Sequence, residues 1–283
     1  MRDSKVFKKL TFLQKYLQSL RSSVVAFSGG LDSSFLLKIA RDILKENILA
    51  VTVNTFFIPH WEIEEAKEIA KSLKVKHVIV PLSFVKNKRF LNNTYLRCYW
   101  CKREIFKSLV NILKHYKMKT VIDGTTLDDI KDCRPGFKAN VEYKIKSPLK
   151  KAGLSKNDIV LLAKSMRLSF WRKPSTTCLC SRIPFGEKIT LPRIKRISKA
   201  EELLRGFLGK NTLFRLRDHN TIARIEVEKK KFPYFLRNKD ANRLIRELKR
   251  TGYRYIVFDL EGYKPAVSKH PKYTGIPVFS LKI

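Results

Sequence analysis

Four of the chain's five cysteines fall into two tight pairs, Cys98 with Cys101 and Cys178 with Cys180. Two thiolates at Cys-x-x-Cys spacing readily chelate one metal centre. The second pair lies in TTCLCSRIPFG, just before Ser181, Arg182 and a Pro-Phe-Gly turn. The start of the chain alternates charged and apolar residues and reads as an amphipathic helix with Phe7, Leu10, Leu13 and Leu17 inward, not as a secretory signal. Cysteines in a cytoplasmic chain point to metal binding or catalysis rather than to disulfides. Lys173 and Arg182, basic neighbours in sequence, are expected to lower the pKa of a thiol at position 178.

A second chemistry-bearing stretch is SGGLDSS, residues 28–34. Gly29 and Gly30 let backbone N–H groups approach an anion with no Cβ in the way. The hydroxyls of Ser28, Ser33 and Ser34 add donors, and a following helix adds its positive N-terminus. The stretch suits a phosphate or pyrophosphate, and it lacks the lysine of the nucleotide-binding loop G-x-x-x-x-G-K-S/T. Its plain counterpart is a tight turn with a Ser or Asp helix cap. Arg215 and Arg217 stand two apart in an alternating stretch, so as strand residues they share one face. Guanidinium forks on one face suit a phosphate, and in so basic a chain the plain counterpart is a solvated surface.

Periodicity places these residues on elements. Residues 24–27, 48–53, 77–80 and 120–123 read as short buried strands. Between them, apolar residues recur at helical spacing: Leu36, Ile39, Ala40 and Ile43, then Ile63, Ala66, Ile69, Ala70 and Leu73, then Ile105, Leu109, Ile112, Leu113 and Tyr116. Strand–helix alternation predicts a doubly wound parallel sheet covered on both faces. Ser155 opens a helix with a capping-box pattern. Beyond residue 174 the pattern changes to a helix, two alternating strands joined by a turn at Asp218, His219 and Asn220, another helix and a closing strand. The expected organisation is an α/β domain over residues 1–174 and a smaller α/β domain over 175–283.

The motif Ser-Gly-Gly-x-Asp-Ser after a first strand resembles the PP-loop ATP pyrophosphatases, which have an adenine nucleotide alpha hydrolase-like fold. RCYWCKREIF, DGTTLDDIKDCRPG, SPL, GLSKNDIVLLAK, KPSTTCLCSRIPFG, RLRDHNTIARIEV and FDLEGY follow in order. Together they resemble the LarE family, ATP-dependent sulfur transferases of nickel-pincer cofactor biosynthesis, from the PP-loop to Tyr263. The resemblance implies adenylylation of a carboxylate on a pyridinium biscarboxylic acid mononucleotide, release of pyrophosphate and replacement of AMP by sulfur. Adenylylation answers a chemical problem, since a carboxylate is anionic and has no good leaving group. Mg²⁺ favours oxygen ligands, and Asp32 and Asp129 are the carboxylates expected to organise it.

Carried over residue by residue, the resemblance makes Cys178 the site cysteine and Arg215 with Arg217 the phosphate-binding strand, with Arg182 beside it. It also makes Glu201 a site residue, where sequence alone reads a surface glutamate. In family members with that cysteine alone, the cysteine surrenders its own sulfur. Here Cys98, Cys101 and Cys178 together match members whose three thiolates hold a 4Fe-4S cluster with one iron open. Cys180 stands where a small residue is usual and is an alternative third, or a fourth, ligand. Zinc and a sacrificial free thiol therefore stay open beside the cluster. Cys133 reads as a packing residue, and Tyr99 and Trp100 as rings that either stack on a ligand or anchor a loop.

Sixty Lys and Arg against 25 Asp and Glu give a formal charge of +35, which favours polyanionic company. A tRNA thiolation enzyme of the same superfamily is thus the alternative to a small-molecule enzyme, although no appended RNA-binding module is recognisable. A basic nucleotide-binding module without catalysis would leave SGGLDSS and the thiols idle. No apolar run is long enough to span a bilayer. The expectation is a cytoplasmic homo-oligomer that uses ATP, a carboxylate nucleotide and a separate sulfur donor.

Overall fold

A computed structural model of the chain describes residues 2–131, 135–174, 176–237 and 239–264. Cys133, its RPG neighbour Arg134 and the basic tail from residue 265 lie outside the described residues. In chain order, α1 (Arg2–Ser19) leads to β1 (Ser23–Ala26), α2 (Leu31–Leu44), β2 (Ile48–Asn54), α3 (His60–Ser72) and β3 (His77–Pro81). Then come α4 (Lys88–Leu91), α5 (Arg97–His115), β4 (Thr120–Asp123), α6 (Leu127–Lys131), α7 (Phe137–Glu142), α8 (Pro148–Lys151) and α9 (Lys156–Ser165).

The four strands form a parallel sheet in the order β3-β2-β1-β4, as the buried apolar runs predict. Alternate residues feed the two faces. Val25, Ala50 and Ile122 pack with α1, α2 and α9, while Val24, Leu49 and Val121 pack with Phe106 and Leu109 of α5. Because β1 has β2 on one side and β4 on the other, the chain reverses direction across the sheet at β1. The crevice at the carboxyl ends of β1 and β4 is the usual ligand position in such sheets. Ser155 caps α9 with a full capping box to Asp158. On α1 the inward stripe is Val6, Leu13 and Leu17, continued by Leu20 in the following turn; Phe7, expected inside, is exposed.

The second unit comprises α10 (Leu191–Leu208), β5 (Phe214–His219), β6 (Ile222–Val227), α11 (Phe232–Arg237), α12 (Ala241–Arg250) and β7 (Tyr255–Phe258). β5 and β6 are antiparallel, and β7 joins β6 in parallel. Leu204, Leu216, Ile225, Leu244 and Leu248 form its core. The hairpin turn is shorter than the sequence predicts. Asp218 and His219 stay in the ladder, and Asn220 (φ 57) makes the reversal with Thr221. Asn tolerates that left-handed conformation, and Asp218 Oδ1 accepts from the Asn220 N–H at 3.1 Å.

A separate apolar cluster joins residues 179–197 to the first sheet's loops. Leu179, Ile183, Ile194 and Ile197 pack against Phe57, Phe84 and Phe90. The three rings lie 4.8–5.1 Å apart and are almost fully buried. Each such side chain contributes about 1.5–3 kcal/mol by leaving water, so this cluster fixes the CLCSRIP segment against the β2–α3 and β3–α5 loops.

Candidate active site

The SGGLDSS loop leaves β1 and enters α2 at the sheet's switch point. Gly29 has φ +71, and a Cβ there would stand 2.9 Å from Ala66 Cβ of α3, so only glycine fits. Ser33 Oγ donates to Gly30 O at 3.1 Å and lies 3.1 Å from Ser28 Oγ, which accepts from the Gly30 N–H. The buried Ser34 hydroxyl has no hydrogen-bond partner among the described residues. Gly30 caps α2 without a side-chain bond, so the first N–H groups of a 14-residue helix face the crevice with Asp32 in their turn.

The loop after β4 closes on this one. A Cβ on Gly124 would lie 2.9 Å from the Ser33 nitrogen, so the close approach depends on glycine. Buried Asp123 holds the loop shut. It accepts from Thr125 Oγ1 (2.6 Å), Asn140 Nδ2 (2.7 Å) and Ser147 Oγ (2.7 Å). Those three bonds tie together DGTT, α7 and the SPL turn, which the sequence shows only as separate motifs. Asp129 caps the same loop: its Oδ2 accepts from the Thr126 N–H and hydroxyl, and its Oδ1 faces Lys156 at 3.3 Å. Of the two readings of Asp129, these bonds support the capping one.

The two cysteine pairs meet, although some 80 residues separate them. Cys101, Cys178 and Cys180 all border the Phe57–Phe84–Phe90 cluster, and Cys98 is exposed on the first turn of α5. The Cys180 thiol hydrogen-bonds to Cys178 and, with Arg97 and Arg182 nearby, lowers the Cys178 pKa to about 6 despite burial. Burial pushes Cys101 well up, and the neighbouring Cys178 and Cys98 add to that. Burial and the bond to Cys178 likewise raise Cys180. Cys178 is thus the acidic thiol beside Cys101 and Cys180, whose acidity burial suppresses. Lys173 does not act on Cys178 as expected, because Glu62 (3.2 Å) and Glu65 (2.7 Å) of α3 hold it. Arg97 takes that place, and sequence reasoning missed it: as one of 60 cations it carries no signal of burial. Among the described residues, no three or more His, Cys, Asp or Glu side chains are grouped to hold a single metal ion. Trp100 lies at the edge of the thiol cluster under Arg89 and Arg103, and Tyr99 donates to Glu142, so both rings anchor the α5 turn.

Beside the thiols, three guanidiniums from two segments gather. Arg182 forms a buried two-pronged pair with Glu201 (2.6 and 3.0 Å) and donates to Thr177 and Ser181. Glu201 also accepts from the Leu216 N–H, so it is no surface residue; it fixes the SRIPFG segment to β5. Arg217 binds Glu226 and the Ser181 carbonyl oxygen. Arg215 differs. It stacks on Tyr263 and donates to the Tyr263 hydroxyl and the Lys264 carbonyl, with no carboxylate bonded to it among these contacts. Burial, with help from Arg182 and Arg217, lowers its pKa. A cleft of about 360 Å³ opens between the two units, lined by Thr177, Arg182, Glu201, Arg215, Lys173 and Glu65 among others. That volume suits a small ligand.

A glycine-serine loop at the switch point of a parallel sheet, leading into a bare helix N-terminus, defines an ATP-using enzyme of the PP-loop class. The family model of the queuosine biosynthesis protein QueC matches residues 22–96, the stretch from β1 to the start of α5. Three relatives match nearly the full length. A pyridinium-3,5-bisthiocarboxylic acid mononucleotide synthase from Lactiplantibacillus plantarum is 34% identical over 88% of this chain and 89% of its own. An uncharacterized protein of Synechocystis is 34% identical over 90% of this chain and 95% of its own. One of Methanocaldococcus jannaschii is 30% identical over 91% and 98%. The chain belongs to the LarE family and is an ATP-dependent sulfurtransferase.

Proposed function

We propose that the enzyme adenylylates a carboxylate of a pyridinium carboxylate mononucleotide and converts it to a thiocarboxylate. ATP lies over residues 28–34, where Asp32 and the ATP phosphates would hold Mg²⁺ to neutralise the departing pyrophosphate. The substrate carboxylate oxygen attacks the α-phosphorus, and the bond to the β-phosphate breaks. Pyrophosphate leaves against the N–H groups of Gly29, Gly30 and α2, which stabilise its charge. Sulfide-level sulfur then attacks the acyl carbon, the C–S bond forms as the C–O bond to AMP breaks, and AMP leaves with the bonding pair. Arg215 receives the substrate phosphate in the cleft, beside Arg217. Arg182, held by Glu201, completes the positive wall. The observation that carries this reading is the position of Cys178: a thiolate-forming side chain one residue from the cleft-lining Thr177, between Arg97 and Arg182.

Cys98, Cys101 and Cys178 would hold a 4Fe-4S cluster, with Cys180 behind them as hydrogen-bond donor to Cys178. The donor chemistry suits the group, since four thiols from two segments lie in or beside one apolar cluster, and binding would draw three of them together from the ungrouped arrangement of the described residues. Such a cluster, when bound to three thiolates, supplies an iron position open to sulfide. A separate sulfur donor replenishes the site, and the enzyme assembles as a homo-oligomer.

The test is anaerobic purification with iron, sulfide and zinc analysis, followed by turnover with ATP and the mononucleotide. Pyrophosphate, AMP and thiocarboxylate in equal amounts with bound iron and unchanged protein mass are expected. Loss of the mass of hydrogen sulfide from a colourless protein identifies Cys178 as a sacrificial donor instead. No pyrophosphate release refutes the adenylylation.

A further inference from the structure

Arg97 is buried at the first position of α5, immediately before Cys98. Its Nη1 donates to the carbonyl oxygen of Cys180 at 3.0 Å and to Asn93 Oδ1 at 2.5 Å. Its guanidinium lies over the Phe185 ring, 5.0 Å from the centroid. Asn93 is completely buried, in the left-handed conformation (φ 52) that Asn tolerates. Its Nδ2 donates to the carbonyl oxygens of Pro184 (2.7 Å) and Glu187 (2.9 Å), and its own carbonyl accepts from the Gly186 N–H (3.1 Å). These two side chains thus grip both ends of CSRIPFGE from a segment 83 to 94 residues earlier.

Most buried or half-buried arginines near the site have carboxylates, Glu201 for Arg182, Asp218 for Arg193 and Arg196, Glu226 for Arg217, and Arg215 bonds instead to Tyr263 and Lys264. Arg97 donates to the oxygens of Asn93 and Cys180 and reaches the Cys98 sulfur, with Cys178 and Cys180 also beside it. Its guanidinium is answered by these oxygens, the Phe185 face and the neighbouring sulfur atoms, so it stands between the two cysteine segments.

We infer that Arg97, oriented by Asn93, is the positioning residue that brings the Cys178 and Cys180 segment to face Cys98 and Cys101. The inference rests on the sulfur-transfer reading only for its purpose, since the facing of the thiols is measurable without turnover. The reduced, metal-free full-length protein is treated with dibromobimane, a reagent that bridges two neighbouring thiols, and the bridged peptides are mapped. A bridge between residues 98 or 101 and residues 178 or 180 is expected. Arg97→Met and Asn93→Ala each lower its yield at least about fivefold, the effect of losing one charge-assisted bond, while ATP affinity stays unchanged. Arg97→Lys, which keeps the charge and a donor, recovers at least about half the yield. With substrate, Arg97→Met releases pyrophosphate at the unsubstituted rate but makes little thiocarboxylate. Absence of the bridge in the unsubstituted protein overturns the inference. So does full bridging in Arg97→Met, or a lysine variant no better than methionine. An unsubstituted protein that bridges but releases no pyrophosphate refutes the functional reading and leaves the positioning intact.

Discussion

Arg97 Nη1 donates to the Cys180 carbonyl oxygen at 3.0 Å, joining the first turn of α5 to a segment 83 residues later. That bond lies between the two cysteine pairs, and it explains how thiols from distant segments share one electrostatic environment.

The Cys178 thiolate gives a pH prediction. Its folded pKa, about 6, lies below the ordinary thiol value of 9.0. A depressed acid contributes stability that is fully present above its unfolded pKa and is lost as pH falls through its folded one. In metal-free protein, this contribution fades between pH 9 and pH 6. The alkylation rate of Cys178, followed by peptide mass, rises with a midpoint near 6, whereas Cys101 and Cys180 react only in stronger alkali, because burial raises both.

The loop glycines make a second prediction. Gly29→Ala meets both a positive φ and a 2.9 Å approach to Ala66. It costs about 1–3 kcal/mol of backbone strain and lowers pyrophosphate release at least about tenfold. Gly124→Ala pushes on the Ser33 nitrogen and acts in the same direction. Thermal unfolding and a pyrophosphate assay check both.

The Arg182–Glu201 pair is buried on both sides. Glu201→Gln leaves a buried guanidinium without its counter-charge, and breaking such a pair costs about 3–5 kcal/mol. Denaturant unfolding measures the loss. The CSRIPFG segment and β5 loosen together, because Glu201 Oε1 serves Arg182 and the Leu216 N–H at once.

Arg215 separates substrate binding from stability. Its bonds to Tyr263 and Lys264 are neutral, so Arg215→Gln changes unfolding little. Loss of a charged hydrogen bond to a phosphate, about 1.5–3 kcal/mol, raises KM for the mononucleotide about ten- to hundredfold with kcat nearly unchanged. KM for ATP stays the same.

Iron content tests the ligand set. Cys98→Ser, Cys101→Ser and Cys178→Ser each lose iron and the visible absorption of anaerobically reconstituted protein. Cys180→Ser keeps about three or four irons per chain. Loss of iron in Cys180→Ser, with retention in Cys98→Ser, reverses the assignment.

The chain itself specified the parallel sheet, because apolar runs bounded by turns and helical spacing between them are local patterns. It also specified the phosphate loop, since Gly29 and Gly30 after a strand admit few other uses, and the thiol pairs by their spacing. What folding decided is which distant groups became neighbours. Glu201 and Arg97 look like surface charges in sequence; burial beside Arg182 and the cysteines changes what they do. Lys173 looks like a thiolate's partner until α3 presents Glu62 and Glu65 to it. The physical reason is that sequence patterns report each segment's own preference. The strength of a charge, the acidity of a thiol and the reach of a hydrogen bond depend instead on what the rest of the chain packs around it.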